Sequence, residues 1–200
     1  MTDRHHPRPA ALATRLAALL LLVTAFLAGA AEPLDYPQAV GIMKREQTAG
    51  EAGAGLLKTF GKGDVGTFAQ GIQLYAAAQA DFNALIERLK AGLIADARLP
   101  DSPDLTRSLV SASDKRVTFT DFVDQRVLPK AGPPGTRSLA AFMGGGALVG
   151  SAVELTGILK DAMLEVWKAY RAADQERRTQ ILEQLDGLKW RSFGEVPTLA

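Results

Sequence analysis

Between Val65 and Leu93 the chain keeps to one rhythm. Val65, Phe68, Ile72, Tyr75, Gln79, Phe82, Ile86, Leu89 and Leu93 stand alternately three and four residues apart, and only Gln79 breaks the apolar and aromatic series. On an α-helix this spacing draws a single stripe; on a strand, where the period is two, it draws none. The rod it describes is about 43 Å long at 1.5 Å per residue. One whole side of it has to be hidden, and other helices are the natural cover. Asp64 stands where an N-cap belongs, and Gly92 lies near the other end.

The neighbouring segments follow the same rule. Val40, Met43, Gln47, Gly50, Ala54 and Leu57 form a stripe that begins after Pro37, a residue suited to a first helical turn, and its middle is small. Gly61-Lys62-Gly63 joins it to the next helix, so the two fold back antiparallel. Gly50 and Ala54 then face Ile72 and Tyr75, and Gln47 falls beside Gln79. A third helix is expected from Ser102-Pro103-Asp104, with Leu105, Leu109, Ala112, Arg116, Phe119 and Val123 inward, ending before Pro129.

A fourth helix is expected from Arg137, broken or kinked at Gly144, Gly145 and Gly146. Leu148, Ala152, Leu155, Leu159, Ala162 and Val166 share one face, which Val149, Val153, Ile158 and Trp167 widen; so broad an apolar arc predicts the central helix. Its glycines would admit Phe119 or Phe122 from the third helix. Ile181, Leu182, Leu185 and Leu188 predict a shorter final helix, with Trp190 and Phe193 tucked against the end. The expected fold is all-α: an antiparallel up-down four-helix bundle with a short C-terminal helical extension, in a single domain over residues 32–200.

Residues 1–31 read as an export signal. Arg4, Arg8 and Arg15 supply a positive start, Leu16 to Leu27 run apolar apart from Thr24, and Ala28-Gly29-Ala30-Ala31 offers the small side chains a signal peptidase needs. Cleavage is expected after Ala30 or Ala31, and the apolar run is well short of the roughly 20 residues of a membrane-spanning helix. The expected location is therefore periplasmic or secreted. Removing the leader takes 23 basic and 22 acidic side chains to 20 and 21, and a near-neutral chain without a basic run excludes electrostatic binding of nucleic acid.

The chain has no cysteine, and its two histidines, His5 and His6, lie in the leader. The mature protein therefore lacks a thiolate nucleophile, a histidine base and an imidazole metal ligand. No cofactor or metal is expected, since no phosphate loop, EF-hand spacing or nucleophile elbow is present. Three polar residues occupy inward positions: Gln47, Gln79 and Arg116. The helix register brings Arg116 near Phe82 and within reach of Gln79. Together they could line a pocket for a small anionic or amide-bearing ligand, with the Arg116 fork on its carboxylate. The favoured alternative is structural: a buried polar layer that sets helix register, or an arginine whose stem packs while its head reaches water.

Trp190 and Phe193 are candidates for an exposed patch that binds a protein partner. The leading functional expectation is a non-catalytic, exported helical protein that binds a protein partner or a small ligand. Two alternatives stand beside it: membrane association or self-assembly through the glycine-rich run 138–153, and an enzyme built on carboxylates and Arg116.

Overall fold

Each of the five main helices among the described residues begins on a residue whose side chain accepts one of the free first-turn N–H groups. The computed structural model describes residues 34–96, 102–131, 138–139 and 150–199; the leader and positions 140–149 of the glycine-rich run lie outside them. Helix α1, Tyr36–Phe60, is capped by Asp35, whose carboxylate accepts from Gln38 N at 2.8 Å while Asp35 N donates to Gln38 Oε1 at 2.9 Å. A 3₁₀ turn, Gly61–Gly63, leads to α2, Val65–Ile94, capped by Asp64. Ser102 caps α3, Pro103–Phe122; Ser151 caps α4, Ala152–Ala172; Asp174 caps α5, Gln175–Asp186. These five helices pack against one another in the compact unit Asp35–Ala200, and no strand occurs among the described residues.

The third helix does not stop before Pro129. It passes through a π turn, Val123–Val127, and takes a further turn, Leu128–Ala131. A proline ring clashes with the carbonyl four residues earlier in a regular α-helix. The widened turn, in which Leu128 N donates to Val123 O, relieves that crowding immediately ahead of the ring.

α2 packs chiefly on α3, α1 on α4, and α3 on α4, while α5 touches α2 and α4. Tyr75, Phe82, Ile86, Leu89 and Leu93 are buried as the α2 stripe requires, but Val65 at its head is 80 % exposed. The expectation that the fourth helix is central is corrected. In α4 the stripe narrows to Leu155, Leu159, Ala162, Met163 and Val166, and Val153 is 84 % exposed. The most enclosed helix is α1, where Glu46, Gln47, Glu51 and all but two of the other residues from 46 to 57 are buried.

Small side chains make that enclosure possible. A Cβ on Gly53 would lie 2.9 Å from the ring of Phe119, one on Gly55 would lie 2.8 Å from Leu199, and one on Gly50 would overlap the indole of Trp190. The seat of Phe119 is thus Gly53, and Phe122 rests on Gly71, where a Cβ would come within 3.0 Å of its ring. Glycines of the fourth segment were expected in that role; Gly150 has no neighbour within 4 Å of an ideal Cβ.

Candidate functional site

α1 and α2 touch directly beside their connection, where Leu57 packs on Gly71. Farther along, the segment that follows α5 fills the space between them. Trp190 enters this groove and is 2 % exposed. Its indole lies over Gly50, stacks on Tyr75 at a ring separation of 5.6 Å, and leans on Phe82 at 5.4 Å. Phe193 follows, edge-on to Tyr75 at 5.7 Å and to Phe68 at 5.9 Å, with Lys58 Nζ 5.2 Å from its ring centre. Neither residue forms the fully exposed apolar patch anticipated from the sequence.

The inserted main chain is held by side chains from both walls. Gln47 on α1 donates to Lys189 O at 2.6 Å, and Gln79 on α2 donates to Trp190 O at 3.1 Å. Asn83 makes a two-point contact with one residue: its Nδ2 donates to Trp190 O at 3.1 Å and its Oδ1 accepts from Trp190 N at 2.8 Å. Tyr75 OH donates to Arg191 O at 2.8 Å, and Glu51 Oε1 accepts from Arg191 N at 3.0 Å. Beyond the groove, Lys58 donates to Gly194 O and Val196 O, and Thr59 to Leu199 O.

Charge fixes the segment at two further points. Glu51 Oε2 accepts from Arg191 Nε at 2.9 Å and from its Nη2, a forked pairing. Burial pushes the Glu51 carboxyl up, but the hydrogen bonds and charge of Arg191 outweigh it and hold it below its usual value. At the entrance Lys189 pairs with Glu87 and with Asp186 at 2.8 Å, and Lys90 joins Asp186 at 2.6 Å. Hydrogen bonds from Lys189 lower both the Glu87 and the Asp186 carboxyls.

Gln47 and Gln79 thus bind two consecutive carbonyls of the inserted chain, those of Lys189 and Trp190, one from each wall. Arg116 is elsewhere. It is fully buried, its Nη2 is 2.9 Å from Glu46 Oε2 on α1, and its Nη1 donates to Thr120. Arg116 Nε and Ser113 Oγ are buried without a hydrogen-bond partner. Burial lowers the Arg116 proton affinity and the Glu46 charge opposes it. Arg116 forms a cross-core ion pair and takes no part in the Gln47–Gln79 site.

Sequence reasoning passed over Glu51, Asn83 and Tyr75 as contacts. A usable signal was present: Glu51 follows Gln47 by four residues and Asn83 follows Gln79 by four, so each helix presents two polar groups on successive turns of one face. Elsewhere a surface cleft of about 270 Å³ opens between α2 and α3, lined by Asp81, Arg88, Arg107, Ser108 and Ser111. Its Ser111 hydroxyl donates to Asp81, and Arg107 pairs with Asp104 at 2.9 Å. Asp124, whose proton affinity burial raises, accepts from Leu139 N at 2.6 Å.

Among the described residues, no group of acids is placed to hold a metal ion, and no helix is long and apolar enough to cross a membrane. Comparison of the chain with protein-family models, curated proteins and solved structures gave no match.

Proposed function

We propose that this is an exported, non-catalytic helical protein whose activity is to bind a protein partner, and that the partner presents a chain segment to the groove between α1 and α2. In this reading the four long helices act as an antiparallel up-down bundle, and the groove is its working face. One observation carries the proposal. Gln47, Glu51, Tyr75, Gln79 and Asn83 all direct their polar atoms at main-chain N–H and C=O groups of residues 189–191.

Side chains that read a backbone recognise any chain with the same main-chain trace. A small carboxylate ligand finds less support, because Gln47 and Gln79 are already engaged and Arg116 faces Glu46. An enzyme finds less still: Glu51, Glu87 and Asp186 are held ionised by basic partners, whereas acid–base chemistry at neutral pH favours carboxyls shifted upward in a shared pocket.

The test is exchange. A protease site is inserted after Gly187, which is exposed, and the folded protein is cut there. A fluorescent synthetic peptide of residues 188–199 should then replace the severed segment, read by anisotropy. A cut protein that keeps its helical dichroism and never takes up the peptide would refute the reading. Export has its own measurement: an intact mass beginning at Ala31 or Glu32 supports it, and a retained Met1 in the exporting host overturns it.

A further inference from the structure

We infer that the groove selects its partner by a short code, a segment carrying Trp-Arg-x-Phe that runs into a turn at the Phe, and that residues 190–193 occupy it as an internal copy of that ligand. The inference rests on the peptide-binding reading above and adds the sequence that the groove prefers. Main-chain contacts from Gln47, Gln79, Asn83 and Tyr75 are indifferent to side chains, so selectivity has to come from the three positions whose side chains meet a shaped or charged surface.

The first is the indole slot. Gly50 is its floor and Tyr75 and Phe82 are its walls, and the floor is flat only because α1 carries no Cβ there. A flat, wide ring fits such a slot and a branched aliphatic chain does not. The second is Glu51, a nearly buried carboxylate that takes the guanidinium at the next position through two hydrogen bonds while accepting from the same residue's N–H. A guanidinium matches this fork and an ammonium does not. The third is the edge formed by Phe68 and Tyr75, closed by Lys58 above, which receives a ring three positions after the first.

The internal copy also carries a defect. Trp190 Nε1 is buried and has no hydrogen-bond partner. An unsatisfied buried donor weakens binding of the segment that bears it. A partner Trp-Arg-x-Phe segment whose neighbouring chain supplies an acceptor for the indole N–H competes with residues 190–193 on better terms.

The experiment uses the full chain cut after Gly187, with competing synthetic peptides of residues 188–199. The unaltered peptide should exchange; peptides bearing Trp190→Ala should bind about 100-fold more weakly, and Arg191→Glu at least about 10-fold more weakly. A groove-side Glu51→Lys change should invert the second preference, favouring the Arg191→Glu peptide. If all peptides exchange equally, the code is wrong and the backbone-reading groove stands; if none exchanges, the peptide-binding reading falls with it.

Should the insertion prevent folding, the uncut Trp190→Ala chain, its slot vacated, is titrated with the same peptides, and absence of ranked binding overturns the inference. Dimerisation of the uncut chain by exchange of residues 188–199 would identify the occupant as a second copy and overturn the assignment to another protein.

Discussion

Replacing Arg116 with leucine probes how the centre of the molecule is held. In the wild type the guanidinium is 1 % exposed, its Nη2 stands 2.9 Å from Glu46 Oε2, and Glu46 is itself 6 % exposed. Leucine removes the cation and leaves a carboxylate on α1 shut away from water. Taking one partner from a buried ion pair costs about 3–5 kcal/mol. Against this, Arg116 Nε disappears with its unsatisfied donor, whose burial costs about 1–3 kcal/mol in the wild type. Taken at the midpoints of these ranges, the balance is a loss of about 2 kcal/mol, or on the order of 4–8 °C in melting temperature for a domain of this size.

The companion variant, Glu46→Leu with Arg116→Leu, removes both charges and should lie within about 1 kcal/mol of the wild type, or above it. Equilibrium denaturation followed by helical dichroism on the wild type, both single variants and the double variant closes the cycle. If Arg116→Leu alone is as stable as the wild type, or if the double variant loses the sum of the two singles, the ion pair contributes nothing and the argument fails.

Two glycine substitutions of the same chemistry should move stability in opposite directions. Gly157→Ala lies inside α4 with no neighbour within 4 Å of its Cβ and should stabilise by about 0.5–1 kcal/mol. Gly50→Ala drives a methyl group into the Trp190 ring and should cost about 1–3 kcal/mol, with enhanced tryptophan fluorescence quenching by added iodide as the segment lifts. Acid stability should report Glu51. Its folded carboxyl is held below its ordinary value of about 4.5, so its contribution is present above about that pH and fades as the pH falls through the lower folded value. Glu51→Gln should flatten that part of the stability–pH curve, and an unchanged acid limb would show that the Arg191 pairing is not coupled to folding.

The helices were legible because each stripe depends on local spacing. Asp64 and Ser102 are caps where expected, and Pro37 sits in the first turn of α1. Gln47 and Gln79 both reach carbonyls of the segment after α5. What spacing does not carry is the identity of the group facing a stripe. The smallness of Gly50 implied a large neighbour, and Tyr75 was the nearest one in a two-helix hairpin; the ring that arrived was Trp190, from 107 positions beyond its partner Asn83. The same blindness placed Arg116 with Gln79, since no pattern within one helix says that Glu46 lies across the core. Val153 was misjudged because an apolar residue at a helix start reads like one in its middle.

The hairpin of α1 and α2 is joined by one short turn, yet the space between its arms is filled by residues far later in the chain. Such a pair is complete in length long before it is complete in content. Until residues 188–196 arrive, amide groups, a tyrosine hydroxyl and a bare glycine floor stand open to whatever chain is nearby. Loops of this span close slowly, so a newly made molecule passes through an interval in which the seat between the two helices is still unfilled.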